Sequence, residues 1–99
     1  MIHHLCLITY KDPASVDAAA QQAIDAAYRK LPSIIPGILS MQVGRDLALL
    51  EGNAHYAIQA TFESREAFKV YSVHPAHGEI IFPALGHHMA GYWTAQFEG

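Results

Sequence analysis

Apolar and polar residues alternate along four segments of the chain and recur at three- and four-residue spacing along two others. Alternation is typical of β-strands, and the longer spacing is typical of amphipathic helices. Strands are therefore predicted at residues 2–10, 38–45, 55–62 and 88–97. Helices are predicted from Pro13 to about Leu31 and from residues 63–66 to His74, with a short helical piece from Pro75 towards Leu85.

This order of elements, β-α-β-β-α-β, is the ferredoxin-like arrangement. We expect an α+β fold with an antiparallel four-stranded sheet, formed by residues 1–99 as a single domain. A chain of 99 residues suffices for one domain and no more.

The first predicted strand is apolar on both faces. One face carries every second residue: Ile2, His4, Cys6, Ile8 and Tyr10. Leu5 and Leu7 lie on the other face, and this pattern is typical of a strand that is buried on both sides.

The first predicted helix has clear signals at both ends. Asp12 is the expected N-cap and Pro13 the first helical residue, where a missing N–H costs nothing. The helix should end at Leu31, since a residue that precedes proline avoids the helical region. Its predicted buried stripe comprises Val16, Ala20, Ala23, Ile24, Ala27, Tyr28 and Leu31.

The later elements follow the same two periods. Leu39, Met41 and Val43 alternate with polar residues in the second strand, after a turn at Pro36-Gly37. The third strand should turn Tyr56, Ile58, Ala60 and Phe62 inward, and the second helix Ala67, Phe68 and Tyr71.

Two helices cover only one face of a four-stranded sheet. The first, third and fourth strands carry apolar groups on both faces, such as Leu5, Leu7, Met89 and Trp93, so the face that the helices leave open must also be buried. Another copy of the same sheet is the simplest cover for that face, and a two-fold homodimer of facing sheets is therefore predicted.

Composition supports a covered surface and excludes several classes of function. Hydrophobic residues make up 52% of the chain, charged residues 15%, and the net charge is −3. No basic stripe indicates nucleic-acid binding, and no apolar run is long enough to span a membrane. No basic region precedes an apolar run at the start, so a cytoplasmic location is expected. Cys6 is the single cysteine, which excludes an internal disulfide.

The segment Tyr71-Ser72-Val73-His74-Pro75-Ala76-His77 is the strongest candidate for chemistry. Imidazole is the side chain that populates both protonation states near neutral pH, and a phenol held beside it can orient an oxygen of a bound molecule. The segment therefore suits proton transfer on a small molecule, although a tight structural corner would have the same composition.

Several motifs make the chain similar to the stress-responsive dimeric α/β-barrel (Dabb) domain family over essentially its whole length. They are Ile2-His3-His4-Leu5, Ile35-Pro36-Gly37-Ile38, Val43-Gly44-Arg45-Asp46, Phe62-Glu63-Ser64, the Tyr71–His77 segment and Phe97-Glu98. The resemblance implies a dimeric α/β barrel in which two sheets face each other, and in most members no assigned reaction.

One class within this family consists of plant polyketide cyclases, which fold a linear polyketide by an aldol condensation without a cofactor. The resemblance implies that His77 and Tyr71 are the catalytic imidazole and phenol, with His4 beside them. Tyr28 and His74 are implied to contact substrate. Cys6 and Ile8, on the face of the first strand that carries His4, complete the predicted substrate-binding set with Phe68. Alanines precede Tyr28 where the cyclases have bulky aromatics, so their substrate does not transfer.

Three other functions stay open on the sequence. The chain could be a non-catalytic, stress-related structural or binding protein, in which His77 only stabilises a corner. It could be a cofactor-free monooxygenase, as on related dimeric barrels. Zinc could be bound by His74 and His77, with further imidazoles from His3, His4, His87 and His88. No carboxylate completes a ligand pattern, however, and no metal is predicted.

Overall fold

The computed structural model describes residues 1–99 and contains four antiparallel strands with helices packed on one face of the sheet. The elements, in chain order, are β1 (Ile2–Tyr10), a 3₁₀ turn (Pro13–Ser15), α1 (Ala18–Ile34), β2 (Ile38–Arg45), β3 (Tyr56–Phe62), α2 (Arg65–Val73), a π-helical turn (His77–Ile81), α3 (Phe82–Leu85) and β4 (Met89–Glu98). The predicted ferredoxin-like α+β fold is confirmed.

The strand order is β2-β3-β1-β4, so the first strand lies in the interior of the sheet. In β1, Ile2, His4, Cys6, Ile8 and Tyr10 are buried beneath the helices, as predicted. Leu5 and Leu7 remain 39% and 47% exposed on the opposite face. Within one chain, β1 is therefore buried on one side only.

The core lies between the sheet and the helices. Ile24 and Leu31 of α1 are fully buried, as are Tyr56 and Phe62 of β3. The predicted stripe of α1 is confirmed except at Ala23, which is exposed. The long apolar stripe holds α1 across the sheet, because burial of each large apolar side chain contributes about 1.5–3 kcal/mol.

Both predicted ends of the first helix were wrong. Asp12 caps only the 3₁₀ turn, and α1 begins at Ala18 with Asp17 as its N-cap, whose carboxylate accepts the Ala20 N–H. The helix continues through Pro32 to Ile34. Ile35, 1% exposed, donates its N–H to the Leu31 carbonyl, and the burial of these two side chains stabilises a last turn that contains proline.

Two irregularities in strand pairing decide where two apolar side chains lie. A β-bulge between Ile38 and Ser40 takes Leu39 out of the alternation, and its side chain is 52% exposed. Met89 pairs with Tyr10 after a second irregularity and packs against the core. It therefore lies on the helix side of the sheet.

The start of α2 is fixed by a close approach of two elements. Gly37 adopts a φ of 92°, and a Cβ added there would lie 2.6 Å from the Cβ of Ala67. Ser64 caps α2 by accepting the Ala67 N–H. These contacts set the position from which Tyr71 projects towards β1 and β3.

No helix combines the length and the apolar character needed to cross a membrane.

Candidate functional site

A cavity of about 370 Å³ lies between the sheet and the helical segment that runs from α2 to α3. Its wall is mostly apolar, and the polar groups come from β1, α1, the Tyr71–His77 segment and β4. The lining residues are His4, Cys6, Ile8, Tyr28, Ile58, Phe68, Tyr71, Ser72, His77, Ile81, Phe82, Leu85, Gly86, Met89, Tyr92, Thr94 and Gln96. This volume lies within the usual range for small-molecule sites, about 300–1,000 Å³.

Tyr71 and His77 meet at the wall of this cavity. Their rings lie edge to face, with centroids 4.6 Å apart and planes at 83°. Tyr71 is 4% exposed and packs on Phe62, at a ring separation of 4.9 Å. Packing on a core aromatic fixes the direction of the phenol, because it leaves few alternative rotamers.

The corner between the two residues is held by backbone contacts. The His77 N–H donates to the His74 carbonyl at 3.2 Å. The imidazole of His74 accepts the Ala76 N–H through Nδ1 at 3.0 Å. His74 ends α2 and does not line the cavity. Its ring closes the turn, and contact between His74 and a substrate stays a prediction.

His4 is the one buried polar side chain of the core, at 6% exposure. Its ring lies 4.9 Å from Phe68 and 5.8 Å from Tyr71, between centroids. The side-chain amide nitrogen of Gln96 on β4 lies 3.0 Å from its Nδ1. The central strand thus presents an imidazole beside the Tyr71–His77 pair, as the common face of β1 indicated.

Burial lowers the pKa of both cavity imidazoles below its ordinary value. For His4 the main cause is desolvation, and proximity to His77 adds to it. For His77 desolvation again dominates; the His74 carbonyl opposes it and the His74 side chain reinforces it. Both rings are therefore neutral near pH 7, which is the form that can accept a proton.

Two of the phenols that line the cavity are buried and have no partner in the chain. Every fully enclosed side-chain nitrogen or oxygen has a hydrogen-bond partner. The hydroxyls of Tyr28 and Tyr71 have none, so both must be accessible from the cavity that these residues line. Desolvation raises the pKa of each phenol. Both therefore remain protonated and can donate a hydrogen bond to a bound oxygen.

Cys6 and Ile8 follow His4 along the wall formed by β1. Burial raises the pKa of the Cys6 thiol to about 11. The thiol is therefore protonated at physiological pH and is a poor nucleophile. Together with Phe68 of α2, these residues supply apolar surface, and all the predicted site residues except His74 border the cavity.

The contribution of β4 was missed from the sequence. Tyr92, Thr94 and Gln96 line the cavity on the edge strand, where they pair with Ile8, Cys6 and His4. Antiparallel pairing of the first and last strands puts residues of matching parity on one face. The register, which sequence alone did not fix, was the missing information.

No three His, Cys, Asp or Glu side chains converge in a way that would hold a metal ion.

The sequence matches the profile of the stress responsive A/B barrel domain over residues 2–95. Olivetolic acid cyclase of Cannabis sativa is 32% identical over 79 aligned residues, in a match that covers 77% of this chain and 75% of the cyclase. The stress-response A/B barrel domain-containing protein HS1 of Arabidopsis thaliana is 31% identical over 88 aligned residues, in a match that covers 86% of this chain and 78% of HS1.

A solved structure supports the same grouping. The crystal structure of a dimeric ferredoxin-like protein of unknown function from Thermobifida fusca superimposes with a TM-score of 0.81 at 28% identity. The match covers 97% of this chain and 88% of that protein.

Proposed function

The chain belongs to the stress responsive A/B barrel domain family, and we propose that it is a homodimer that binds a hydrophobic, oxygen-bearing small molecule in the cavity. We further propose that it catalyses cofactor-free aldol chemistry on this molecule, of the polyketide cyclase type. The observation that carries the proposal is the contact between a partnerless phenol, Tyr71, and a neutral imidazole, His77, inside an apolar cavity.

The walls of the cavity define the ligand class. Eleven of its seventeen lining residues are hydrophobic, so most of the ligand surface must be apolar. The hydroxyls of Tyr28 and Tyr71 and the imidazoles of His4 and His77 supply donors and an acceptor for oxygen atoms. No charged side chain lines the cavity when both imidazoles are neutral. An uncharged body with several carbonyl or phenol oxygens, such as a linear poly-β-ketone, has this chemistry.

The first step is removal of a proton from carbon. The neutral imidazole of His77 accepts a proton from a methylene next to a carbonyl, and the C–H electron pair moves into the enolate. Tyr71 donates a hydrogen bond to the enolate oxygen while its negative charge develops. Proton transfer to a positioned base contributes about 10²- to 10⁴-fold in rate, and loss of one oxyanion donor costs about 10²- to 10³-fold.

The second step forms the ring. The enolate carbon attacks a second carbonyl carbon of the same molecule, and a carbon–carbon bond replaces the π bond of that carbonyl. The resulting alkoxide takes a proton back from the imidazolium of His77. Protons and electrons balance within the substrate and one histidine, so the step uses no redox partner. The likeness to olivetolic acid cyclase supports this choice of chemistry.

The proposed homodimer forms through the open face of the sheet. Leu5, Leu7, Trp93 and Phe97 lie there and are 39%, 47%, 62% and 52% exposed. These residues occupy neighbouring positions on β1 and β4, where Leu7 pairs with Trp93. Contiguous apolar patches on a soluble surface mark interaction sites, and the related Thermobifida fusca protein is described as dimeric.

The loop between β2 and β3 extends this apolar face. Leu47 and Leu49 are each 79% exposed and line a cleft with Gln42, Gly44 and Gln59 of the open face. In an isologous dimer each loop contacts the partner, because the same patch meets itself across the two-fold axis. We assign the leucines of this loop to the rim of the dimer interface.

The experiment that tests the function is a turnover assay with linear poly-β-ketones of increasing chain length, followed by mass spectrometry of the ring product. The wild type should form a cyclic product with the mass of the substrate, or with that mass less one water. The variants Tyr71→Phe and His77→Gln should each form it at least about 100-fold more slowly. A ligand at about 100 times its Kd should stabilise the fold by roughly 2.7 kcal/mol, which a thermal-shift measurement detects independently.

The two readouts separate the alternatives. Stabilisation by a ligand without turnover would leave the binding site in place and overturn the aldol chemistry, in favour of a non-catalytic binding protein. The absence of both stabilisation and turnover with every compound of the series would overturn the proposed ligand class as well.

A further inference from the structure

We propose that Gln96 is a positioning residue that holds His4 in the Nε2–H tautomer, so that the two cavity imidazoles have opposite tautomers and separate roles. His4 then acts as a hydrogen-bond donor to the substrate, and His77 alone presents a basic nitrogen.

The tautomer of His4 is inferred from its contact with Gln96. The Gln96 Nε2 lies 3.0 Å from His4 Nδ1. An amide nitrogen only donates, so Nδ1 must accept with its lone pair. In a neutral imidazole one ring nitrogen accepts and the other donates. With the amide nitrogen of Gln96 facing Nδ1, the ring proton of His4 belongs on Nε2.

The free nitrogen of His4 is directed to the cavity. His4 Nε2 has no hydrogen-bond partner within the chain, yet no enclosed polar side-chain atom lacks one. Nε2 must therefore be accessible from the cavity that His4 lines. This N–H adds a donor for substrate oxygens to the buried hydroxyls of Tyr28 and Tyr71.

His77 has the reverse arrangement. Its Nδ1 lies 3.4 Å from the His74 carbonyl, which only accepts. Weak as it is at this distance, this contact favours the proton on Nδ1 and leaves Nε2 of His77 with a lone pair. His77 is thus suited to take a proton from carbon, whereas His4 is suited to donate to an oxygen.

Gln96 is well placed for this function and poorly placed for a role in folding. It lies directly opposite His4 in the β1–β4 pairing. It is exposed, on an edge strand, and borders the cavity. An exposed edge residue contributes little to the core, so substitutions there should leave the fold intact.

The test reads the tautomers directly by long-range ¹H–¹⁵N correlation of the imidazole rings at pH 8. Because the roles of the two imidazoles rest on the proposed function, the readout is chosen to be independent of turnover. The chain has seven histidines. The signals of His4 and His77 are identified by their loss in His4→Gln and in His77→Gln. In the wild type, we expect the unprotonated ring nitrogen to be Nδ1 in His4 and Nε2 in His77.

Two substitutions make the test decisive. Gln96→Glu puts an acceptor beside His4 Nδ1, so the proton should move to Nδ1 and the tautomer should invert. Gln96→Leu removes the donor and should give an averaged spectrum of both tautomers. Thr94→Val, at the neighbouring cavity-facing position of β4, is the matched control and should leave the tautomer of His4 unchanged.

Three results would overturn the assignment: His4 in the Nδ1–H form in the wild type, the same tautomer for both rings, or no change in Gln96→Glu. If turnover is absent but the tautomers are as described, the assignment stands and the proposed aldol chemistry fails. If turnover is present and Gln96→Glu inverts His4, the rate should fall at least 10-fold, because a substrate donor becomes an acceptor.

Discussion

The ring of Tyr71 meets the ring of His77 edge to face at 4.6 Å, and the phenol has no hydrogen-bond partner in the chain. A buried tyrosine usually pairs its hydroxyl, as Tyr56 does with Asp25 at 2.7 Å. The two tyrosines therefore provide a matched pair: one hydroxyl stabilises the fold, and the other is free to serve a bound molecule.

Tyr71→Phe and Tyr56→Phe should accordingly have opposite effects. Tyr71→Phe removes no internal hydrogen bond, so the free energy of unfolding should change by less than about 0.5 kcal/mol, whereas turnover should fall about 10²- to 10³-fold. Tyr56→Phe should destabilise the fold by about 1–2 kcal/mol and leave turnover nearly unchanged. Urea unfolding and the cyclisation assay measure both. A loss of stability in Tyr71→Phe with full turnover would make Tyr71 a packing residue.

Stability should fall on the acid side of neutral pH because of the two cavity histidines. Burial lowers the pKa of His4 and His77 in the folded protein, whereas an unfolded histidine titrates at about 6.5. Around and below that pH the unfolded chain binds more protons than the folded chain. The contribution of these two histidines to the free energy of unfolding is therefore present in full only above the unfolded pKa, and it declines as the pH drops.

The melting temperature measured from pH 8 to pH 5 checks this sign. His77→Gln should flatten the decline, and His87→Gln, at an exposed position, is the matched surface control. A decline as steep in His77→Gln as in the wild type would mean that His77 is not desolvated in solution.

The thiol of Cys6 should resist alkylation. With a pKa of about 11, about one thiol in a thousand is ionised at pH 8, against a pKa of about 8.5 for a free cysteine. Iodoacetamide should therefore modify the native protein at least 100-fold more slowly than the urea-unfolded chain at pH 8. Mass spectrometry gives both rates. Equal rates would show that the cavity wall at Cys6 is open and the thiol well solvated.

The dimer should depend on the open face of the sheet. Trp93→Asp puts a charge in the proposed interface and removes a large apolar side chain, whose burial contributes about 1.5–3 kcal/mol. Analytical ultracentrifugation should find twice the 10.9 kDa chain mass for the wild type and a shift to monomer for the variant. Leu49→Asp should weaken the dimer less.

Val73→Asp controls for added charge. Val73 is 81% exposed on α2, in the helix layer, so this variant should stay dimeric. Dissociation of Val73→Asp, with Trp93→Asp still dimeric, would move the interface from the sheet to the helices.

Periodicity predicted the elements and the inward face of β1 well, because alternation of Ile2, His4 and Cys6 is a local property of the strand. It failed where tertiary contacts outweigh local preference. Pro32 normally ends a helix, but burial of Leu31 and Ile35 carries α1 past it. Leu39 leaves the alternation at a bulge that only strand pairing reveals.

The candidate site was predicted as far as local sequence and family resemblance reach. Tyr71 and His77 are close in the chain, and His4 lies on a face that periodicity defines. Gln96 is remote in sequence from His4 and becomes its partner only through the register of β1 and β4. His74 lies at the turn rather than in the cavity wall, because its imidazole accepts the Ala76 N–H.

Deuterium exchange into a bound ketone is the measurement that tests the proton transfer by His77 most directly. An aryl alkyl ketone that stabilises the protein is incubated with it in D₂O, and loss of the α-proton signal is followed by NMR. Exchange should be accelerated at least about 100-fold over buffer by the wild type, and neither His77→Gln nor Tyr71→Phe should approach that rate. Wild-type exchange no faster than buffer, with the ketone demonstrably bound in the cavity, would contradict the assignment of His77 as a base.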